Sequence, residues 1–341
     1  MDLLVLPADG VRAVLGYRRC AEAMRTALAA RARGEVFQPL RSVLRPEGAP
    51  GFMALMPSYQ GGQDAGFGLK AICVLPENPA AGLDTHQGIV LLSSPQTGQP
   101  LAMLNASAVT EIRTAAVSAV ATEVLARPGA DVLAIIGTGV QARSHLKAIA
   151  ASRPLAQVRV AGSGPGRAAA LAGQAAGLLA ELGADLAGDL PDVRACDSVR
   201  EAVAGAGIVV TATSSPVPVL EPAWLAPGTH INAVGACLPQ LRELDTATVA
   251  AAALFCDSRE SVLAESGDYR LAAADGAIGP GHIRAELGDL LAGTAAGLGR
   301  ASDDEITVFE SLGLAVEDLA AAMVAYRAAR ESGQGFWIDF G

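Results

Sequence analysis

Residues Asp131 to His145 read DVLAIIGTGVQARSH. An apolar run, Val132 to Ile136, stops at Gly137-Thr138-Gly139, and a helix-like run begins at Val140-Gln141-Ala142. This is a strand, a tight glycine turn and a helix start. Gly137 permits the turn, and Gly139 lets backbone approach a pyrophosphate. Ala142 stands where a third glycine often does and is small enough to pack on the strand. The helix start offers unpaired N–H groups and a positive dipole end to phosphates. Such turns also occur as plain connections. Here further β/α units follow, which favours dinucleotide binding.

Outward from the turn the pattern repeats. Val158 to Ala161, Val193 to Cys196, Ile208 to Thr213, Thr229 to Gly235 and Ala253 to Cys256 read as strands separated by helical stretches such as Arg167 to Leu182. Ser198-Val199-Arg200-Glu201 has the spacing of a capping box. Strands and helices alternating at these lengths imply α/β architecture with a parallel, doubly wound Rossmann sheet. The flanks differ. Leu3 to Leu6 reads as a strand, Val11 to about Arg33 as one helix, and Gln38 to Leu104 as short β segments with a hairpin at Thr97-Gly98. A helix follows from Ala108. Past ITVFESLG a last helix, about Leu314 to Arg330, leads to a strand in GFWIDF. The expected organisation is a Rossmann domain over 115–315 and an α+β domain from 1–114 with 316–341.

The chain has 341 residues, 51% of them hydrophobic, and a formal net charge of −10. It carries no basic run, so nucleic acid and anionic membrane are not expected partners. No stretch of eighteen uncharged apolar residues is present, and the start MDLLVLPADG lacks the features of a signal peptide. Cys20, Cys73, Cys196, Cys237 and Cys256 are scattered and odd in number. They support neither a disulfide framework nor a zinc site, and a cytoplasmic location is expected. His86, His145, His230 and His282 have no ligand spacing, although His145 could neighbour the phosphate site.

Of the 25 basic residues, two are lysines, Lys70 and Lys147, so 23 are arginines. Lysine is a compact charge whose pKa can shift, whereas arginine stays protonated. Lys147 fits the polar face of a helix. Lys70 sits inside the apolar segment GFGLKAICVL and must face solvent or a pocket. Arg41 begins a strand-like segment. Arg113 lies on a helix of small residues, where an ion pair with Glu111 or Glu123 is the plain alternative. Together Arg41, Lys70 and Arg113 could clamp a carboxylate, each charge-assisted hydrogen bond contributing roughly 1.5–3 kcal/mol. Met53 is a candidate for the same pocket, and core packing is the alternative reading of Met53 and Met56.

The ordered segments RSVLRPEGAPGFMALMPSY, TEIRTAAVSAVAT, GTGVQARSH, SVREAVAGAGIVVTAT, PGTHINAVGACLPQLRELD and ITVFESLGLAVEDLA, with the Lys70 strand, are similar to those of the ornithine cyclodeaminase/mu-crystallin family. The resemblance covers almost the whole chain. It implies a homodimer, a nicotinamide cofactor and chemistry at the α-carbon of an amino or imino acid. It places Arg41, Lys70 and Arg113 among carboxylate-binding and catalytic cations. It adds Thr114, Thr213, Val234, Gly235, Ala236 and Ser311 to the cofactor contacts Gly137, Thr138, Gly139, Val140, Gln141 and Ala142. Cyclodeaminases and alanine dehydrogenases of this family carry an aspartate where this chain has Cys237. A thiol with a pKa of about 8.5 is mostly protonated at neutral pH and relays protons poorly. The loop therefore resembles the ketimine reductase branch.

The end of the second Rossmann strand is VRVAGSGPGR. Gly162 and Ser163 replace the acid that often binds an NAD ribose, and Arg167 follows, which favours NADP(H) over NAD(H). The expected reaction is NAD(P)H-dependent reduction of a cyclic α-imino acid, Δ1-pyrroline-2-carboxylate or Δ1-piperideine-2-carboxylate, to L-proline or L-pipecolate, with Lys70 or a water held by it as proton source. Ornithine cyclodeamination, alanine dehydrogenation or linear-imine reduction are the alternatives within enzymes. An NADPH-retaining ligand-binding protein is the alternative outside them.

Overall fold

The computed structural model describes residues 2–341, except for the side chains of Gln63, Pro79 and Pro165. The strands ahead of residue 113 are β1 (Asp2–Leu6), β2 (Val36–Phe37), β3 (Ser42–Leu44), β4 (Phe52–Gln60), β5 (Gly66–Val74), β6 (His86–Ser93) and β7 (Pro100–Asn105). Those of the middle stretch are β8 (Val132–Ile136), β9 (Gln157–Ala161), β10 (Asp192–Ala195), β11 (Ile208–Thr211), β12 (His230–Ala233), β13 (Ala253–Cys256), β14 (Ile283–Glu286) and β15 (Thr307–Glu310). The last, β16 (Phe336–Asp339), lies near the chain end. The chain divides into two units: one runs to Arg113 and resumes at Gly313–Gly341, the other is Thr114–Leu312.

The first unit is a mixed sheet in the order β16-β1-β7-β6-β5-β4-β2, with β3 on β4. β16 pairs antiparallel with β1, so the chain's last strand returns beside its first. Side chains alternate across a strand with period two. Along β4, Ala54, Met56, Ser58 and Gln60 are buried, while Met53 and Leu55 are exposed. Helix Ala315–Ser332 covers the buried face over β4, β5, β6 and β7. Glycine permits this approach: a Cβ on Gly68 would come within 2.9 Å of Leu319. The single helix expected over residues 11–33 is instead two, Ala8–Val14 and Tyr17–Ala32. Leu15 leaves helical geometry and Gly16, with ψ 147°, caps the second helix.

The second unit is a parallel sheet in the order β10-β9-β8-β11-β12-β15-β13-β14. Its first five strands follow the 3-2-1-4-5 order of a Rossmann fold. β8, β11, β12, β13 and β15 are buried nearly throughout, as strands with helices on both faces must be. Phe255 and Phe309 are neighbours in register, each 0% exposed, and burying each contributes about 1.5–3 kcal/mol. β15 inserts between β12 and β13. In sequence ITVFESLG reads as a lead-in to the last helix, because Thr307 and Glu310 bound a short apolar pair. Both polar ends are buried. Among the described residues no helix is long and apolar enough to cross a membrane.

Candidate active site

In the first unit Lys70 lies on the helix-covered face of β5, paired across the strands with Met56 and Val90. It is 3% exposed. Of the two settings open to it, solvent or a pocket, it takes the buried one: its Nζ lies 2.7 Å from Asp318 Oδ2 in an ion pair. Asp318 Oδ1 accepts a hydrogen bond from Arg113 Nε at 3.0 Å, and Glu317 Oε2 accepts from Arg113 Nη1 at 2.8 Å. Arg113 is thus held by Asp318 and Glu317, while Glu111 accepts from Arg12 at 2.8 Å. Arg41 is half-buried and donates to the Gly313 carbonyl at 3.2 Å.

Glu317 and Asp318 stand in the first turn of helix Ala315–Ser332, where negative charge is favoured by the helix dipole. Glu317 also accepts from the Leu314 backbone N–H at 3.1 Å. Gly313 immediately before them has φ +81°, and a Cβ there would lie 2.5 Å from Arg113 Nη1. The guanidinium therefore rests against backbone that only glycine leaves open. Burial lowers the Lys70 pKa, Asp318 raises it, and Arg113 and Arg41 lower it, for a result of about 8. Burial also pushes the Cys20 thiol up, beside the same charges.

Met53 does not belong to this cluster. It pairs with Cys73 on the opposite, exposed face of the sheet, 37% exposed. An odd number of residues from Met56 puts its side chain on the other face. Met56, directly opposite Lys70 and buried, is the methionine beside the cations.

In the second unit the turn after β8 has the form a dinucleotide needs. Gly137 has φ +123°, and a Cβ there would meet the Ala212 carbonyl oxygen at 2.3 Å. Its N–H donates to Ala161 O at 2.9 Å. Gly139 caps helix Val140–Ser152, and a Cβ on it would meet nothing within 4 Å, so its backbone faces open space. Thr138 and Gln141 are half-buried and Val140 is 47% exposed, whereas Ala142 is fully buried against the strand. A Cβ on Gly162 would sit 2.9 Å from Thr138 Cγ2, so an acid there would crowd the turn as well as repel a phosphate. Ser163 and Arg167 are exposed where helix Pro165–Ala180 begins.

Thr213, Val234, Gly235, Ala236 and Cys237 lie just past β11 and β12. Sequence reading missed what holds these loops. Buried Glu243 accepts from the Thr213 backbone and hydroxyl at 2.6 and 2.7 Å, from Thr211 Oγ at 2.8 Å and from the Gly235 backbone at 2.7 Å. Asp268 Oδ1 in turn accepts from the Glu243 and Leu244 backbone at 2.7 and 2.9 Å. Burial pushes Asp268 up to about 7. Thr114 and Ser311 are buried, and Ser311 Oγ, past the end of β15, has no hydrogen-bond partner. His145 is a structural residue: fully buried, it bonds Gln141 O at 2.7 Å and Ser118 Oγ at 2.9 Å, and burial lowers it to about 4. An open glycine-capped helix start, two loops pinned at strand ends and an orphaned buried hydroxyl together fit a dinucleotide.

A Rossmann unit with this turn, together with a second unit that buries a cluster of paired charges, defines the class as a dinucleotide-binding α/β protein. The chain belongs to the ornithine cyclodeaminase/mu-crystallin family, whose model matches residues 2–333. It is 40% identical over 293 residues to the ketimine reductase mu-crystallin of Mus musculus, covering 86% of this chain and 85% of that one. It is 37% identical over 339 residues to a Δ1-pyrroline-2-carboxylate reductase of Bacillus cereus, covering 99% and 100%. Among solved structures, Thermococcus litoralis Δ1-pyrroline-2-carboxylate reductase in complex with NADH and L-proline superposes with a TM-score of 0.91 at 35% identity, over 98% of this chain and 99% of that one.

Proposed function

We propose that the chain is an oxidoreductase that reduces a cyclic α-imino acid, Δ1-pyrroline-2-carboxylate or Δ1-piperideine-2-carboxylate, to L-proline or L-pipecolate. The observation that carries this reading is the charge of the cluster. Lys70, Arg113 and Arg41 face two carboxylates, Asp318 and Glu317. One positive charge remains across these five groups, which suits a substrate carrying one carboxylate. The relatives named for imine reduction support the choice of substrate.

A bound nicotinamide cofactor supplies hydride to the imine carbon. The chain's own part is to anchor and to protonate. Arg41 and Arg113 hold the carboxylate, and Lys70 Nζ delivers the proton that the imine nitrogen takes up. An acid of pKa about 8 is largely protonated at neutral pH yet releases its proton readily. Cys237 leaves no carboxylate at its position to take that role.

NADP(H) is preferred, on the support of Gly162, Ser163 and Arg167; NAD(H) remains the second cofactor. The test is oxidation of NADPH and of NADH with both cyclic imines. NADPH should turn over with either ring, and Arg167→Ala should raise the NADPH KM by roughly 10–100-fold, the worth of one charge-assisted bond, with little change for NADH. Equal use of both cofactors would remove the phosphate role of Arg167. Ornithine without net NADPH use, pyruvate with ammonium, and linear imines are the other arms. Tight NADPH binding without turnover on any arm would favour a ligand-binding protein.

The chain works as a homodimer. Met53, Leu55, Phe67 and Ile89 place apolar side chains on the sheet face away from its helices, each more than a third exposed. An apolar face of this kind marks an interaction surface. Light scattering should return twice the chain mass, and Leu55→Glu with Ile89→Glu should return one. A monomeric parent protein would refute this.

A further inference from the structure

We propose that Asp318 is the positioning residue of the site, tying Lys70 and Arg113 through opposite oxygens of one carboxylate so that the ammonium stays charged and aimed. This rests on the imine-reduction reading. The geometry is specific. Asp318 Oδ2 meets Lys70 Nζ at 2.7 Å and Oδ1 meets Arg113 Nε at 3.0 Å. The acid is 1% exposed and the lysine 3%. Water therefore does little to screen the pair. The helix carrying Asp318 reaches β5 because Gly68, two residues before Lys70 on the same face, has no side chain to hold it off. Ser58 Oγ donates to the Ala315 carbonyl at 3.1 Å, and the Val316 N–H donates to Gln38 Oε1 at 2.9 Å, fixing the helix start.

The largest influences on Lys70 each have a definite direction. Asp318, from helix Ala315–Ser332, favours its charged form. Arg113, from helix Ala106–Leu125, and Arg41, ahead of β3, oppose it, as does burial. Glu317 bonds Arg113, and Cys20 lies in the field of Arg113, Glu317 and Asp318. Removing the Asp318 charge thus takes away the largest influence that favours the charged form of Lys70. Without it the proton donor is lost in the range where the enzyme works.

The chain has two lysines, so lysine-selective NMR of the whole protein follows Lys70 directly, with Lys147→Arg giving the assignment. In the parent protein Lys70 should titrate at about 8. The alkaline limb of kcat/KM for imine reduction should fall at the same pH. In Asp318→Asn both should move down by about 1–3 pH units, the usual effect of a contacting opposite charge, and Asp318→Glu should restore them. Glu317→Gln should leave the Lys70 titration in place. If Asp318→Asn does not fold, Arg113→Met should move the Lys70 titration up, because a repelling charge is gone. A Lys70 titration unmoved by Asp318→Asn, or by Arg113→Met where that variant stands in, in folded protein overturns the proposal. A parent protein with the expected titration but no imine turnover overturns the substrate reading and leaves the positioning role standing.

Discussion

Lys70→Met lowers imine reduction by about 10²–10⁴-fold, the usual worth of a general acid, and the loss appears in kcat. Methionine keeps most of the apolar stem and removes only the ammonium. The change also takes one of two cations from Asp318, whose remaining partner is Arg113. A lost charge-assisted hydrogen bond costs about 1.5–3 kcal/mol of stability. Adding Asp318→Asn to Lys70→Met should return much of that stability, since no excess buried charge remains at that carboxylate. It should return none of the activity. Urea unfolding with steady-state rates on the single and double variants checks both halves. Turnover near that of the parent protein in Lys70→Met would remove Lys70 from the chemistry.

Gly137→Ala abolishes dinucleotide binding and destabilises the second unit. At φ +123° an L side chain is strained, and the added Cβ would press on the Ala212 carbonyl oxygen at 2.3 Å. Backbone strain of this kind costs about 1–3 kcal/mol, and crowding adds about 1–3 kcal/mol. Relief requires the turn to move away from the loop after β11, and the helix start moves with it. Calorimetric titration with NADPH and NADH should show no saturation. Parent-like affinity in a folded variant would show that the turn does not carry the nucleotide. A matched control is Gly139→Ala, where an added Cβ meets nothing within 4 Å: it should fold normally and lose affinity only through closer approach to the phosphates.

These two sites were unequally legible in the sequence. The glycine turn is local: strand, turn and helix follow one another within fifteen residues, and Gly137 has no substitute at its φ. The Rossmann order follows from the alternation. Lys70 and Arg113 stand out by composition and by setting, but their partners do not. Glu317 and Asp318 sit in an ordinary-looking helix start, and the Arg113–Asp318 bond spans 205 positions. Arg41 meets Gly313 across 272. The packing of helix Ala315–Ser332 on β4 to β7 brings those segments together. Glu243 was hidden for a similar reason, since its four hydrogen bonds gather Thr211, Thr213 and Gly235 from two loops. Met53 was misplaced by a parity error: its apolar character was plain, but which face it took depended on where β4 begins.

The return of β16 to β1 also makes the first unit discontinuous in the chain. Every strand of the nucleotide unit precedes the final helix in the sequence. Until that helix is made the other unit holds Lys70 and Arg113 without Asp318 and Glu317. The later segment brings both carboxylates, so the charge pairing inside this unit joins residues made early in synthesis to residues made late.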